Sequence, residues 1–268
     1  MLSGGTQYVQ SSGTASGTAV NAGGVAYLSS GGEAVSLTVS SGGKAVISSG
    51  GTTSGLDLLS GGQLTDDGTV TYSAAGALAG VLLGSGSIAT TGGGDLVLSG
   101  DENKFAGGAV IGGGTIELAT ANALGSGAVT FVQPTTGSAV LKIDAAAAPA
   151  AGGTFAYLIS NFDSTNEDID LASIAYVSGA TATLVGTTLV LTDGGKTYSF
   201  QLTGTFNGAY PVLSDGHGGT LIDPEAARFA QAAAGFAPSD AANAALVSSA
   251  SPASHTPFAH AAASAGRG

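Results

Sequence analysis

Residues 4–60 read as three successive units, GGTQYVQSSGTASGTAVNA (4–22), GGVAYLSSGGEAVSLTVSS (23–41) and GGKAVISSGGTTSGLDLLS (42–60). Glycine pairs open the units at Gly4-Gly5, Gly23-Gly24 and Gly42-Gly43, and Gly61-Gly62 keeps the spacing of nineteen. A fixed period of this kind marks a solenoid, in which each repeat is one coil and stacking neighbours buries a continuous core. A second set, Gly31-Gly32 and Gly50-Gly51, with Ser12-Gly13 as its first member, recurs at the same spacing, so two turns per unit are expected. The apolar runs between them are too short for helices and read as strands. Val9, Leu28 and Ile47 form one predicted core column; Val20, Val39 and Leu58 form another. Tyr8, Tyr27 and Val46 precede the first column with side chains that suit a pleated strand. Glycine at the corners supplies positive φ at little cost.

Composition agrees with such a coil. Glycine supplies 46 of the 268 residues, and charged residues are 9% where about 25% is usual. With no cysteine, zinc ribbons, iron–sulfur clusters, disulfides and thiol nucleophiles are excluded. A net charge of −12 repels phosphate backbones and anionic lipid, so nucleic acid is not expected as a partner.

Over residues 3 to 65 the cadence of glycine pairs and valines resembles the AIDA-type repeats in passenger domains of bacterial autotransporter adhesins. Residues 94–131 are similar to the autotransporter-associated β-strand repeat. That match is carried by Gly94, Leu96, Leu98, Gly100, Asn103, Gly107, Gly108, Gly114, Thr115, Leu118, Ala123, Leu124, Gly125, Gly127 and Val129. Phe105, Ala109 and Ile116 stand where that repeat has tyrosine, threonine and leucine. The resemblance implies an all-β chain, a right-handed parallel β-helix (β-solenoid) with a β-rich C-terminal cap and a short Ala-rich helical or disordered tail.

The expected organisation is a 19-residue-repeat solenoid over 1–65, its continuation over 66–148, a cap over 149–222 and an Ala-rich tail over 223–268. Residues 66–93 match neither repeat and read as an irregular coil. Within 94–131, strands are expected around Leu96 and Leu98, Ile116 and Leu118, and Val129 and Phe131. In the cap, Asp193-Gly194-Gly195 is expected to turn a hairpin between Leu189-Val190-Leu191 and Tyr198-Ser199-Phe200. The cap would cover the last coil, whose strand edges would otherwise pair with other chains. Asp223 as N-cap, Pro224 in the first turn and Glu225 favour a short helix through Phe236, and the chain beyond Pro238 is too poor in bulky side chains to order.

No residue is singled out for catalysis or for a cofactor. His217 sits in the glycine-rich stretch SDGHGGT and reads as a surface turn; His255 and His260 fall in the tail. Asp163, Glu167, Asp168 and Asp170 are close enough in sequence to suggest calcium, but they match neither the calcium-binding nonapeptide nor an EF-hand, and a solvated acidic loop is preferred. Lys44, Glu33 and Asp57 are the only charges through Gly62, which leaves no carboxylate pair for glycoside cleavage in the repeats. No cluster of acids with Lys or Arg on adjacent coils is evident anywhere in the chain. GxxxxGK[ST] is also missing, so nucleotide binding is not expected.

The chain opens MLSGGTQYV inside the first repeat, without the basic and apolar regions of a signal peptide, and reads as truncated. It shows neither a membrane span nor the alternating aromatic strands of an outer-membrane barrel. A segment of a larger autotransporter, or export by another route, is therefore expected. By resemblance, the role is adhesion or cell–cell aggregation at the cell surface or outside the cell, non-catalytic, with host or bacterial surface protein or glycan as partner and the oligomeric state left open. The rivals are a β-helix polysaccharide lyase or hydrolase, favoured if acids converge on one solenoid face, and a calcium-stabilised exported scaffold.

Overall fold

The computed structural model describes residues 1–162, 166–205 and 210–224, all within the compact unit Met1–Arg228. The described elements are all strands, and they build a parallel β-solenoid. One sheet stacks Thr6–Val9, Val25–Leu28, Lys44–Ile47, Gln63–Asp66, Val81–Gly84 and Lys104–Phe105 in sequence order. The nineteen-residue period sets its first rungs: Val9 pairs in register with Leu28, and Leu28 with Ile47.

Each repeat has a third bend besides the two glycine-pair turns. In Glu33–Val39 the chain bends at Ser36, with φ of 57°, and Gly17 and Gly55 hold the equivalent place at 63° and 69°. One residue suffices for this corner, so it leaves no dipeptide signal. Each early coil therefore carries three strand segments.

The two glycines of a pair serve different purposes. Gly42 adopts φ of 73°, the left-handed region, whereas a Cβ on Gly43 would lie 2.4 Å from the Val20 carbonyl oxygen of the preceding coil. The first glycine answers a backbone angle and the second a close approach between coils.

One core column runs through the whole solenoid. Val20, Val39, Leu58, Leu78, Leu98, Leu118, Ile143 and Leu171 pair successively in parallel, and all are buried. Its spacing grows from nineteen to twenty and then to twenty-five and twenty-eight, because the later coils carry longer loops between their strands, at 132–138 and 144–158. Residues 66–93 form coils as regular as the rest: Thr69–Tyr72 and Ser87–Thr91 pair over four positions. The expected strands of 94–131 are present as Asp95–Leu98, Gly114–Leu118 and Ala128–Phe131, with Lys104–Phe105 and Gly108–Gly112 in addition.

Asn103 fixes the end of the six-stranded sheet. Its buried amide accepts from Leu82 N at 2.7 Å and donates to Gly100 O at 3.1 Å and Ala123 O at 2.7 Å, tying three successive coils together.

Parallel pairing continues into Ile159–Ser160 and Glu167–Leu171. Thr188–Asp193 and Lys196–Thr203 then form the antiparallel hairpin, turned by Gly194 and Gly195 with positive φ. Leu202 pairs with Ile159, and Thr220–Ile222 runs antiparallel to Glu167–Leu171, so the last rungs on two sides are covered. The expected helix from Asp223 to Phe236 and the tail lie, from residue 225 on, outside the described residues.

Candidate binding surface

The outward side of the six-stranded sheet carries two columns in register. One runs Thr6, Val25, Lys44, Gln63, Val81; the other runs Tyr8, Tyr27, Val46, Thr65, Leu83, Lys104. Alternation along each strand turns Ala26, Leu28, Ala45 and Ile47 inward and leaves these side chains outside. Tyr8 and Tyr27 stack with centroids 5.1 Å apart and planes 9° from parallel, and Tyr8 remains 66% exposed. Where the sheet ends, a groove of about 750 Å³ is lined by Gln63, Val81, Leu83, Glu102, Asn103, Lys104 and Asn122. Its lining combines two aliphatic side chains with three amides and one charge of each sign.

A second side brings together residues that are far apart in sequence. Glu117 pairs with Lys142, and Lys142 with Asp170, on consecutive rungs. Lys142 Nζ lies 2.7 Å from Glu117 Oε2 and 4.0 Å from Asp144 Oδ1. The hydrogen bond to Glu117 raises the Lys142 pKa. Burial, followed by a hydrogen bond with Glu117, raises that of Asp144; burial, followed by the charge of Asp215, raises that of Asp170. This corrects the sequence expectation that no acid cluster with a lysine occurs on adjacent coils. Coils lengthened to twenty-five and twenty-eight residues bring these side chains into line, and the nineteen-residue period gave no hint of it.

Of the four acids considered for calcium, the three described ones do not form one set. Strand Glu167–Leu171 alternates, with Glu167 buried on the inner side and Asp168 and Asp170 half-buried on the outer side; Asp163 lies outside the described residues. Among the described residues no group of three or more His, Cys, Asp or Glu is arranged to hold a metal ion. His217 N and Gly219 N both donate to Asp215 Oδ1, at 2.7 and 2.8 Å, which closes the glycine-rich turn; His255 and His260 are outside the described residues. No described helix is long and apolar enough to cross a membrane.

No family model matches the chain, and no curated protein matches it. Among solved structures, the crystal structure of a TibC-catalysed hyper-glycosylated TibA55-350 fragment is similar at 20% identity and a TM-score of 0.25, over 60% of this chain and 62% of that one. The chain thus spans about three fifths of that fragment.

Proposed function

We propose that this chain is a passenger-like segment of an exported bacterial surface protein that works in adhesion or cell–cell aggregation without catalysis. Its partners are protein or glycan on a host or bacterial surface. The observation that carries the reading is the outer face of the six-stranded sheet. The repeats that resemble autotransporter passengers display an in-register ladder there, ending in an exposed tyrosine stack at one side and a shallow amphipathic groove at the other. Repeated rungs favour many weak contacts, so binding strength comes from multivalency. The test is adherence of protein-coated beads to bacterial and animal cells, with the Tyr8→Ala/Tyr27→Ala variant alongside. Dense wild-type coating is expected to bind well and the variant less. Adherence no greater than that of albumin-coated beads would overturn the reading.

A second reading, cleavage of a polysaccharide, is favoured by one observation: Glu117, Asp144 and Asp170 gather around Lys142 on adjacent coils. Acid pairs of this kind cleave glycosidic bonds by general acid and base action. Release of reducing ends from soluble polysaccharides, lost in Glu117→Gln, would support it; no release from a broad polysaccharide panel would leave adhesion alone.

A further inference from the structure

Asp66 stands in the column that begins Val9, Leu28, Ile47, where the repeat calls for a bulky apolar side chain. It is 0% exposed. Oδ1 accepts from Gly68 N at 2.9 Å, and Oδ2 has no hydrogen-bonding partner among the described residues. The next coil fits tightly around it: a Cβ on Gly84 would lie 2.1 Å from the Asp66 carbonyl oxygen, and one on Gly86 2.8 Å from its Cγ.

The polar character extends through the neighbouring core. Buried Thr53 and Thr90 also have hydroxyls without hydrogen-bonding partners among the described residues, and the Tyr72 hydroxyl donates to Leu56 O. Of the four buried side-chain oxygens without a hydrogen-bonding partner among the described residues, three, on Thr53, Asp66 and Thr90, lie on the coils between residues 53 and 90, and the fourth is on Asp170. A solenoid is held by contacts between nearest neighbours, and one weak junction divides it into separately cooperating parts.

We propose that Asp66 makes the junction between the coil of Gln63–Asp66 and the coil of Val81–Gly84 a proton-controlled break point, closed when the carboxyl is protonated and loosened when it ionises.

The surrounding charges do not stabilise the ionised form. Asp67 is adjacent and acidic; Tyr72, in the next strand of the same coil, is itself buried. Asp57 is exposed on Thr52–Leu58. Lys44 and Lys104 are exposed on the outward side of the sheet, away from Asp66, and Val81–Gly84 has no ionisable side chain. Burial accordingly raises the Asp66 pKa from its ordinary 3.8 to about 6, against the lowering effect of Gly68 N–H. An acid whose folded pKa lies above its unfolded value binds more protons when folded. Its contribution to stability is therefore highest below pH 4, falls through about pH 6 and stays low above.

The test is hydrogen exchange of the whole chain followed by mass spectrometry between pH 4 and pH 8, corrected for intrinsic rates, with Asp66→Asn and Asp66→Leu in parallel. Opening of residues 63–90 is expected to increase about a hundred-fold over that range in the wild type, while Val20, Val39 and Ile143 change little. Asp66→Asn should lose the pH dependence, and Asp66→Leu should keep the junction closed at pH 8. Opening that does not vary with pH, or a pH dependence that survives in Asp66→Asn, would overturn the proposal.

Discussion

The ring of Tyr72 occupies the space that a side chain on residue 76 would need: a Cβ on Gly76 would lie 2.2 Å from Tyr72 Cε1. Leu37 and Leu56 precede Gly76 in the coils before it, and Leu96, Ile116 and Leu141 follow. The glycine is thus a gap in an aliphatic column, filled by an aromatic ring from the previous strand of the same coil. Tyr72→Ala should cost about 3–5 kcal/mol through the cavity it leaves. Tyr72→Phe should cost about 1 kcal/mol through the lost bond to Leu56 O. In the Tyr72→Ala background, Gly76→Leu should recover part of the loss, because it restores the column. Urea denaturation of the four proteins checks the set, and a double variant no more stable than Tyr72→Ala would refute the exchange of one side chain for the other.

The third corner gives a prediction of opposite sign. Ser36 holds φ of 57° where Gly17 and Gly55 stand in the neighbouring coils. A left-handed conformation costs a residue with a Cβ about 1–2 kcal/mol, and glycine's extra freedom when unfolded offsets about 0.5–1 kcal/mol of the relief. Ser36→Gly should therefore stabilise by about 0.5 kcal/mol, and Gly55→Ala should destabilise by about 1 kcal/mol, both read as shifts in the denaturation midpoint.

How much of this was legible depended on whether a feature repeats. The Val9, Leu28, Ile47 and Val20, Val39, Leu58 columns could be read because glycine pairs framed them at a constant spacing, and the hairpin at Gly194-Gly195 because its turn type demands positive φ. The corner at Ser36 was not legible, since one residue in an otherwise extended strand carries no pattern. Residues 66–93 looked irregular because their coil length changes and Tyr72 substitutes for a side chain at Gly76. The alignment of Glu117, Lys142 and Asp170 depends on loop lengths that no period encodes.

The division of labour within the glycine pairs can be separated by experiment. Gly43 has an ordinary φ, but its Cβ would press on Val20 O at 2.4 Å, whereas Gly55 has open space and a left-handed φ. Gly43→Ala should cost about 1–3 kcal/mol and disturb protection at Val20, because the coils must move apart. Gly55→Ala should lower stability without changing exchange in the coil before it. Equal disturbance of neighbouring coils by both would contradict the distinction.

Lys142 and Glu117 are close, yet their ion pair should matter little to folding. Both side chains are partly exposed, at 33% and 21%, and solvent screening leaves such pairs near 0–1 kcal/mol. The Lys142 pKa is raised, so the contribution is present through neutral pH and is lost only as the pH climbs past the ordinary lysine range. Lys142→Met should shift the midpoint by less than about 1 kcal/mol at pH 7. A larger loss would mean that Lys142 holds Asp144 and Asp170 in place against their mutual repulsion.

Asn103 should be far more costly to replace. Its one amide satisfies Leu82 N, Gly100 O and Ala123 O inside the protein, and since Gly100 O also accepts from Thr120 Oγ1 at 2.7 Å, truncation strands one donor, Leu82 N, and one acceptor, Ala123 O. Asn103→Ala should cost about 2–4 kcal/mol. Asn103→Asp should be worse than Asn103→Ala above pH 5, because a carboxylate keeps the bond from Leu82 N but puts an acceptor oxygen in place of the nitrogen that faces the carbonyls of Gly100 and Ala123. Protonation supplies one donor again, so the Asp variant should regain stability as the pH falls toward 3, and chemical denaturation across that range reads the difference. An Asp variant indifferent to pH would show that the amide's donors do not bind the coils together.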